Sequence, residues 1–181
     1  ERSGRIIPQT NEEYGYEDHY PMWAQGLGSE SADVLRRTAW EIAMAGGYQT
    51  SGETARQGTN VLPDTGGGWL NGRGDDTMTM FEGYGHMVDF FTSFEWWLTD
   101  PHDELVSEGD YCLAQPGRIY AVYLPKAGSV RVRLEPGSYR ATWWEAATGK
   151  QVPLPPVVAS SAPWSSPAAP GTGDWALLLQ R

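Results

Sequence analysis

Glu12, Glu13 and Glu17 stand within one short stretch, among Tyr14, Tyr16, Tyr20 and Trp23. Two carboxylates flanking a sugar bond can supply a nucleophile and a general acid. Aromatic rings beside them suit sugars, whose C–H faces stack on such rings. From spacing alone, a solvated acidic turn accounts for the cluster better. If the segment is extended, adjacent Glu12 and Glu13 point to opposite faces, so at most one aims at a given site.

Other groups offer less. The Gly-rich stretch Thr65-Gly66-Gly67-Gly68-Trp69 lacks the Lys-Ser/Thr ending of a phosphate-binding loop. Asp75-Asp76 precede a helical pattern, where acidic residues favour the N-terminal dipole, so capping fits them better than metal binding. Ser51-Gly52-Glu53 lacks the nucleophile elbow of hydrolases. Cys112 has no His or Asn nearby in sequence and reads as a packed strand residue. In Trp96-Trp97 and Trp143-Trp144, one ring of each pair is expected in the core, and the other is a candidate exposed platform.

Two textures must position these groups. Up to about residue 104 the chain carries helical patterns and glycine-rich loops. Arg5–Gln9 reads as a short strand, with Pro8 suited to its end. Ser31 reads as an N-cap, and Val34, Leu35, Ala39, Ile42 and Ala43 fall near helical spacing. Gly46-Gly47 supplies the stop, so a helix is expected over 32–45. Tyr48–Glu53 is the next short strand, and residues 54–74 form a long irregular loop. Met80, Tyr84, Met87, Val88, Phe91 and Phe94 mark a second helical pattern over 76–98, which Asp100-Pro101 ends. Strand, loop and helix twice over is the order of two α/β units. Two such units cannot bury both faces of a parallel sheet, so something else must complete the layer.

From Asp110 onward the pattern is short strands: Tyr111–Ala114, Arg118–Leu124, Ser129–Leu134, Ser138–Glu145 and Trp175–Leu179. Val130, Val132 and Leu134 alternate with Arg131 and Arg133, as in a half-buried antiparallel strand. Turn residues such as Glu135-Pro136-Gly137 separate the strands, which suggests a β-sandwich. Residues 153–170 carry six prolines around Trp164, an irregular loop.

Composition sets outer bounds. The 181 residues fall short of the about 250 of a complete eight-unit barrel. Nine tryptophans, nine tyrosines and four phenylalanines are too much apolar mass for a disordered chain. A net charge of −10 argues against a nucleic-acid partner. One cysteine excludes an intrachain disulfide, and His19, His86 and His102 are too scattered for a structural zinc site. No apolar run approaches the roughly 20 residues of a membrane span. No signal peptide is read on this chain, since Glu1-Arg2-Ser3-Gly4 is not a leader.

Asn11-Glu12-Glu13-Tyr14-Gly15-Tyr16-Glu17 resembles the Asn-Gly-Glu-x-x-Tyr-Glu segment that ends strand seven in apiosidase-like glycoside hydrolases, retaining enzymes of the (β/α)8-barrel clan. Arg36-Arg37-x-x-Trp40, with Ala43-Met44-Ala45-Gly46-Gly47-Tyr48-x-Thr50-x-Gly52, resembles that family's run from helix seven to strand eight. Phe90-Phe91-x-x-Phe94-x-Trp96-Trp97-Leu98-x-x-Pro101 is similar to its last helix and exit. Tyr111-Cys112-Leu113-Ala114, Gly117-x-x-Tyr120-x-x-Tyr123-Leu124-Pro125, Trp143-x-x-x-x-x-Gly149 and Asp174-Trp175-x-Leu177 resemble the small sandwich often appended there, described as collagen-binding. The chain departs from the family's pattern at Glu12, where glycine is usual, and at Gln49 and Ser51.

The resemblance implies an α/β plus all-β chain: the last two strand-helix units of a (β/α)8 barrel over 1–104, then a small antiparallel β-sandwich over 105–181. It implies a secreted or periplasmic retaining hydrolase of plant or microbial polysaccharide or oligosaccharide, with no cofactor and no metal. Glu13 matches the nucleophile. Tyr16 and Glu17 would be its neighbours, and Glu53, Trp69 and Asp75 would lie on or after the strand-eight loop as substrate-binding residues. Strands one to six and the acid/base carboxylate would come from a companion polypeptide. The alternatives are a non-catalytic carbohydrate- or protein-binding module, acting through Trp143, Trp144 or Trp164, and a purely structural cap. The exposure of the tryptophans discriminates them.

Overall fold

The computed structural model describes residues 7–12, 14, 15, 17, 30–50 and 79–181. The chain forms two compact units: Glu1–Ala43 with Gly47–Tyr84, and Met44–Gly46 with Gly85–Arg181.

The first unit contains a parallel strand pair. β1 (Thr10–Asn11) lies beside β2 (Tyr48–Gln49), in register Thr10 to Tyr48 and Asn11 to Gln49. Between them in sequence runs α1 (Ala32–Met44), so strand, helix and parallel strand follow one another as in an α/β unit. Of the strand expected over Arg5–Gln9, Arg5 and Ile6 lie outside the described residues and Ile7–Gln9 are not in a strand: Ile7 is 58% exposed, and the described ladder begins past Pro8, which has no N–H to donate. The Gln9 carbonyl accepts the first bond, from Tyr48 N at 2.7 Å.

The helix expected over 32–45 is present. Ser31 Oγ accepts from Val34 N at 3.2 Å, satisfying one of the free donors of the first turn. Leu35, Arg36, Ala39, Trp40 and Met44 form its buried stripe, while Val34 faces out. Gly46 takes the positive φ of 75° that the helix exit requires. Gln49 Nε2 donates to the Ala39 carbonyl at 2.8 Å, tying β2 to α1.

The second helix, α2 (Met80–Thr92), is shorter than the expected 76–98. It runs on as a single 3₁₀ turn at Trp96–Leu98. Met80, Gly83, Met87 and Phe90 are its buried face, at three- and four-residue steps, and buried Phe94 continues that spacing just past its end. A Cβ on Gly83 would stand 3.2 Å from Arg36 Cδ, so glycine permits the two helices their close approach.

The second unit is built on a seven-stranded antiparallel sheet. Its strands are β3 (Asp100–Pro101), β4 (Tyr111–Gln115), β5 (Ile119–Leu124), β7 (Gly137–Glu145), β8 (Gln151–Pro153), β9 (Val157–Ala159) and β11 (Trp175–Gln180). The order is β3-β4-β5-β11-β7-β8, with β9 also on β7. A separate antiparallel ladder joins β6 (Arg131–Val132) to β10 (Trp164–Ser165), the latter inside the proline-rich loop.

Alternation decides the two faces. Cys112, Tyr120, Val122, Leu124, Trp143, Trp175, Leu177 and Leu179 point into one cluster with Val130, Val132 and Leu134. That core lies between the large sheet and the β6 segment, consistent with the expected sandwich. The opposite face carries Leu113, Ala121, Tyr123, Trp144, Ala176 and Leu178, also buried. Phe90 of α2 meets Trp144 edge-on, ring centroids 5.6 Å apart, and Phe94 packs on Phe90 at 5.4 Å. The end of the last helix thus covers the outer face of the sheet.

Tyrosine hydroxyls close the turns. Tyr139 donates to the Glu135 carbonyl at 2.8 Å. Tyr120 accepts from Gly117 N at 2.8 Å and Glu135 N at 3.0 Å. Tyr123 donates to buried Asp174 Oδ2 at 3.0 Å.

Candidate functional site

The parallel register puts the carboxyl ends of β1 and β2 at one edge. In open and closed parallel sheets, sites gather at that edge, on the segments that leave the strands. Glu12, exposed, directly follows β1, and Glu13 comes next. Glu53 follows β2 by four residues in sequence. Glu13, Tyr16, Glu53, Trp69 and Asp75 lie outside the described residues, as does the Gly-rich stretch.

Glu17 is described, and the structure places it at the start of α2. Its Oε2 accepts from Met80 N at 3.0 Å, and its Oε1 from Thr79 N and Thr79 Oγ1 at 3.3 Å. A carboxylate there meets both the unpaired N–H groups and the positive end of the helix dipole, an interaction of about 0.3–1 kcal/mol. The segment after β1 is therefore fastened to the helix that follows β2. Tyr14 adds a second tie, its hydroxyl donating to the Tyr84 hydroxyl in a short hydrogen bond. Burial raises the Tyr14 pKa above its ordinary value, so this phenol stays protonated at neutral pH. Neither tie has a local sequence signal, because the partners are more than 60 positions apart.

In the second unit the expected packing role of Cys112 holds. It is fully buried on β4, and burial pushes its thiol up to about 12, which removes it as a nucleophile at neutral pH. Asp110, just before β4, has its carboxyl raised to about 6, again by burial. The native state then holds this proton more tightly than the unfolded chain does. Stability from this group is full below about pH 4, its unfolded value, and is lost as pH rises through 6. In Asp110→Asn, thermal unfolding followed by circular dichroism should lose that downward slope between pH 4 and 6. An unchanged slope would assign it elsewhere.

The tryptophans divide differently from expectation. Trp143 and Trp144 are both buried, at 0% and 6% exposure, because they sit on opposite faces of a strand covered on both sides. Trp164 is half-buried against the core. Trp96 and Trp97 are both exposed, Trp97 at 63%, because α2 has ended before them. Of the rings that the binding-module alternative relied on, Trp143 and Trp144 are thus core residues, while Trp164 keeps part of its ring at the surface.

Among the described residues no three His, Cys, Asp or Glu side chains cluster closely enough to hold a metal ion. No helix among them is long and apolar enough to cross a membrane.

No protein-family model and no curated protein matches this chain. Solved structures do. A glycoside hydrolase matches with a TM-score of 0.73 at 13% identity, over 98% of this chain and 43% of its own. A glycoside hydrolase family 5 structure from Bacteroides vulgatus ATCC 8482 matches with a TM-score of 0.72 at 11% identity, over 98% and 42%. At these identities the likeness is one of fold: the chain shares its fold with part of each of these structures. It spans less than half the length of the structures it matches.

Proposed function

We propose that this chain is the C-terminal part of a retaining glycoside hydrolase acting on plant or microbial polysaccharide or oligosaccharide, of the apiosidase-like group. The observation that carries the reading is the fold likeness to two glycoside hydrolases across 98% of the chain. The parallel β1–β2 pair supports it, since the segments bearing Glu13 and Glu53 leave the same edge. In this reading residues 1–104 supply the last two strand-helix units of a barrel and 105–181 a sandwich. The remaining strands and the acid/base carboxylate come from a companion polypeptide.

The chemistry follows from two carboxyl groups. Glu13 attacks the anomeric carbon as the glycosidic bond breaks, and the second carboxyl, about 5 Å away, protonates the leaving oxygen. That group then takes a proton from water, which releases the sugar from Glu13. Two inversions restore the starting configuration. Tyr16, Glu53, Trp69 and Asp75 hold the sugar around this centre. Glu17 sits beside it, holding the nucleophile segment against the helix start. The enzyme is secreted or periplasmic, where such polymers are met.

The sandwich is a buttress. The burial of Trp143 and Trp144 favours that role over sugar binding through those rings. The reading is tested on the assembled enzyme by following the first-formed sugar product by proton NMR. Retention of the anomeric configuration is expected. Inversion would overturn it, because a nucleophilic Glu13 cannot give it.

A further inference from the structure

The second unit carries a groove that the catalytic reading does not use. It has a volume of about 360 Å³ and lies where α2 ends, against the β4–β5 turn and the end of β11. Its lining includes Thr92, Ser93, Glu95, Trp97, Arg118 and Arg181. The volume is within the range of small-ligand clefts, about 300–1,000 Å³.

Trp97 stands at 63% exposure, held edge-on by Trp96 with ring centroids 6.1 Å apart. Beside it Arg118 Nη2 donates to Glu95 Oε2 at 2.6 Å, with both side chains about half exposed. Arg118 Nη1 also reaches Gln115 Oε1 at 3.4 Å. Arg181 donates to the Pro136 carbonyl and lies over the Tyr139 ring at 5.4 Å. Ser93 Oγ donates to the Phe90 carbonyl at 2.6 Å, which leaves its oxygen as an acceptor.

Each guanidinium at this groove is thus already engaged, one by a carboxylate and one by a carbonyl and an aromatic face. Such a surface holds little attraction for phosphate, uronate or nucleic acid, and the net charge of −10 repels them further. What it offers is a flat apolar ring beside a neutralised ion pair with spare donors and acceptors. A pyranose matches it: its C–H face stacks on an indole, and its hydroxyls both give and accept hydrogen bonds.

We propose that the Trp97–Arg118–Glu95 groove is an accessory binding site for neutral saccharide. It stands or falls separately from the catalytic reading, because it needs neither Glu13 nor a companion chain.

The test is calorimetric titration of the full chain with cellohexaose, xylohexaose and mannohexaose, with hexagalacturonate and inorganic phosphate as charged controls. At least one neutral hexasaccharide is expected to bind. Trp97→Ala should weaken it at least about tenfold, about 1.4 kcal/mol, and Trp97→Phe should fall between. Arg118→Gln, which breaks the ion pair, should also weaken it. Both Trp97 variants should unfold at the wild-type temperature, since the ring is exposed. In the assembled enzyme, Trp97→Ala should leave hydrolysis of a chromogenic monosaccharide glycoside unchanged. Absence of neutral hexasaccharide binding, binding indifferent to Trp97→Ala, or preference for hexagalacturonate or phosphate would overturn the proposal.

Discussion

Glu13→Gln is expected to lower kcat of the assembled enzyme at least about a thousandfold, about 4 kcal/mol of lost transition-state stabilisation. The amide keeps the size of the side chain and removes its charge. It cannot form the glycosyl ester, and it gives an oxocarbenium-like transition state no anion to face. Because the covalent step itself is lost, substrate affinity should change far less than kcat. Circular dichroism should show the wild-type unfolding temperature, so that the loss is chemical. Activity within about tenfold of wild type would remove Glu13 from the nucleophile's role.

The second large effect belongs to the sandwich. Trp143→Ala is expected to cost about 3–5 kcal/mol, the usual range for deleting a buried indole. Trp143 is fully buried on β7, with its ring edge-on to Trp175 at 6.4 Å. In register it faces Leu177 of β11, so the cavity would open at the centre of the sheet. Against a typical domain stability of about 5–15 kcal/mol, that is a large share. The unfolding temperature of the second unit should fall by about 12 °C or more. Trp143→Phe should cost much less, because the ring is mostly kept and the indole N–H has no acceptor among the described residues. If Trp143→Ala unfolds within about 3 °C of wild type, Trp143 is not a keystone of this core.

Local signals were the legible part of the fold. Ser31 before an apolar stripe and Gly46-Gly47 after it place α1 almost to the residue. The alternation of Val130, Val132 and Leu134 with two arginines gives the inward face of the β6 segment correctly. Turn residues locate the strands from Tyr111 to Leu124, where a hairpin needs no distant information. Three features resisted reading because each depends on partners remote in sequence. Trp144 is buried only because α2 brings Phe90 over the outer face of the sheet. β10 exists only because a proline-rich loop finds Arg131 and Val132. β1 is placed at Thr10–Asn11 by its pairing with Tyr48–Gln49, some 38 positions away.

The same division holds at the candidate site. Glu17 could be singled out by its type and its aromatic neighbours, but not its place at the α2 N-terminus. That place needs the backbone of Thr79 and Met80, which α2 supplies. Trp97 was visible as one of a pair, and only the end of α2 at Thr92 decides that both rings of that pair face solvent.

The central claim is that Glu13 forms a covalent bond to the sugar. An activated 2-deoxy-2-fluoro glycoside tests it directly, because the fluorine slows both formation and breakdown of the glycosyl ester while the activated leaving group restores the rate of formation alone, so the ester accumulates. After incubation with the assembled enzyme and proteolysis, mass spectrometry should find one peptide heavier by one fluoroglycosyl group, with fragmentation placing the group on Glu13. A label on any other carboxylate, or full turnover of natural substrate with no label at all, would contradict the account.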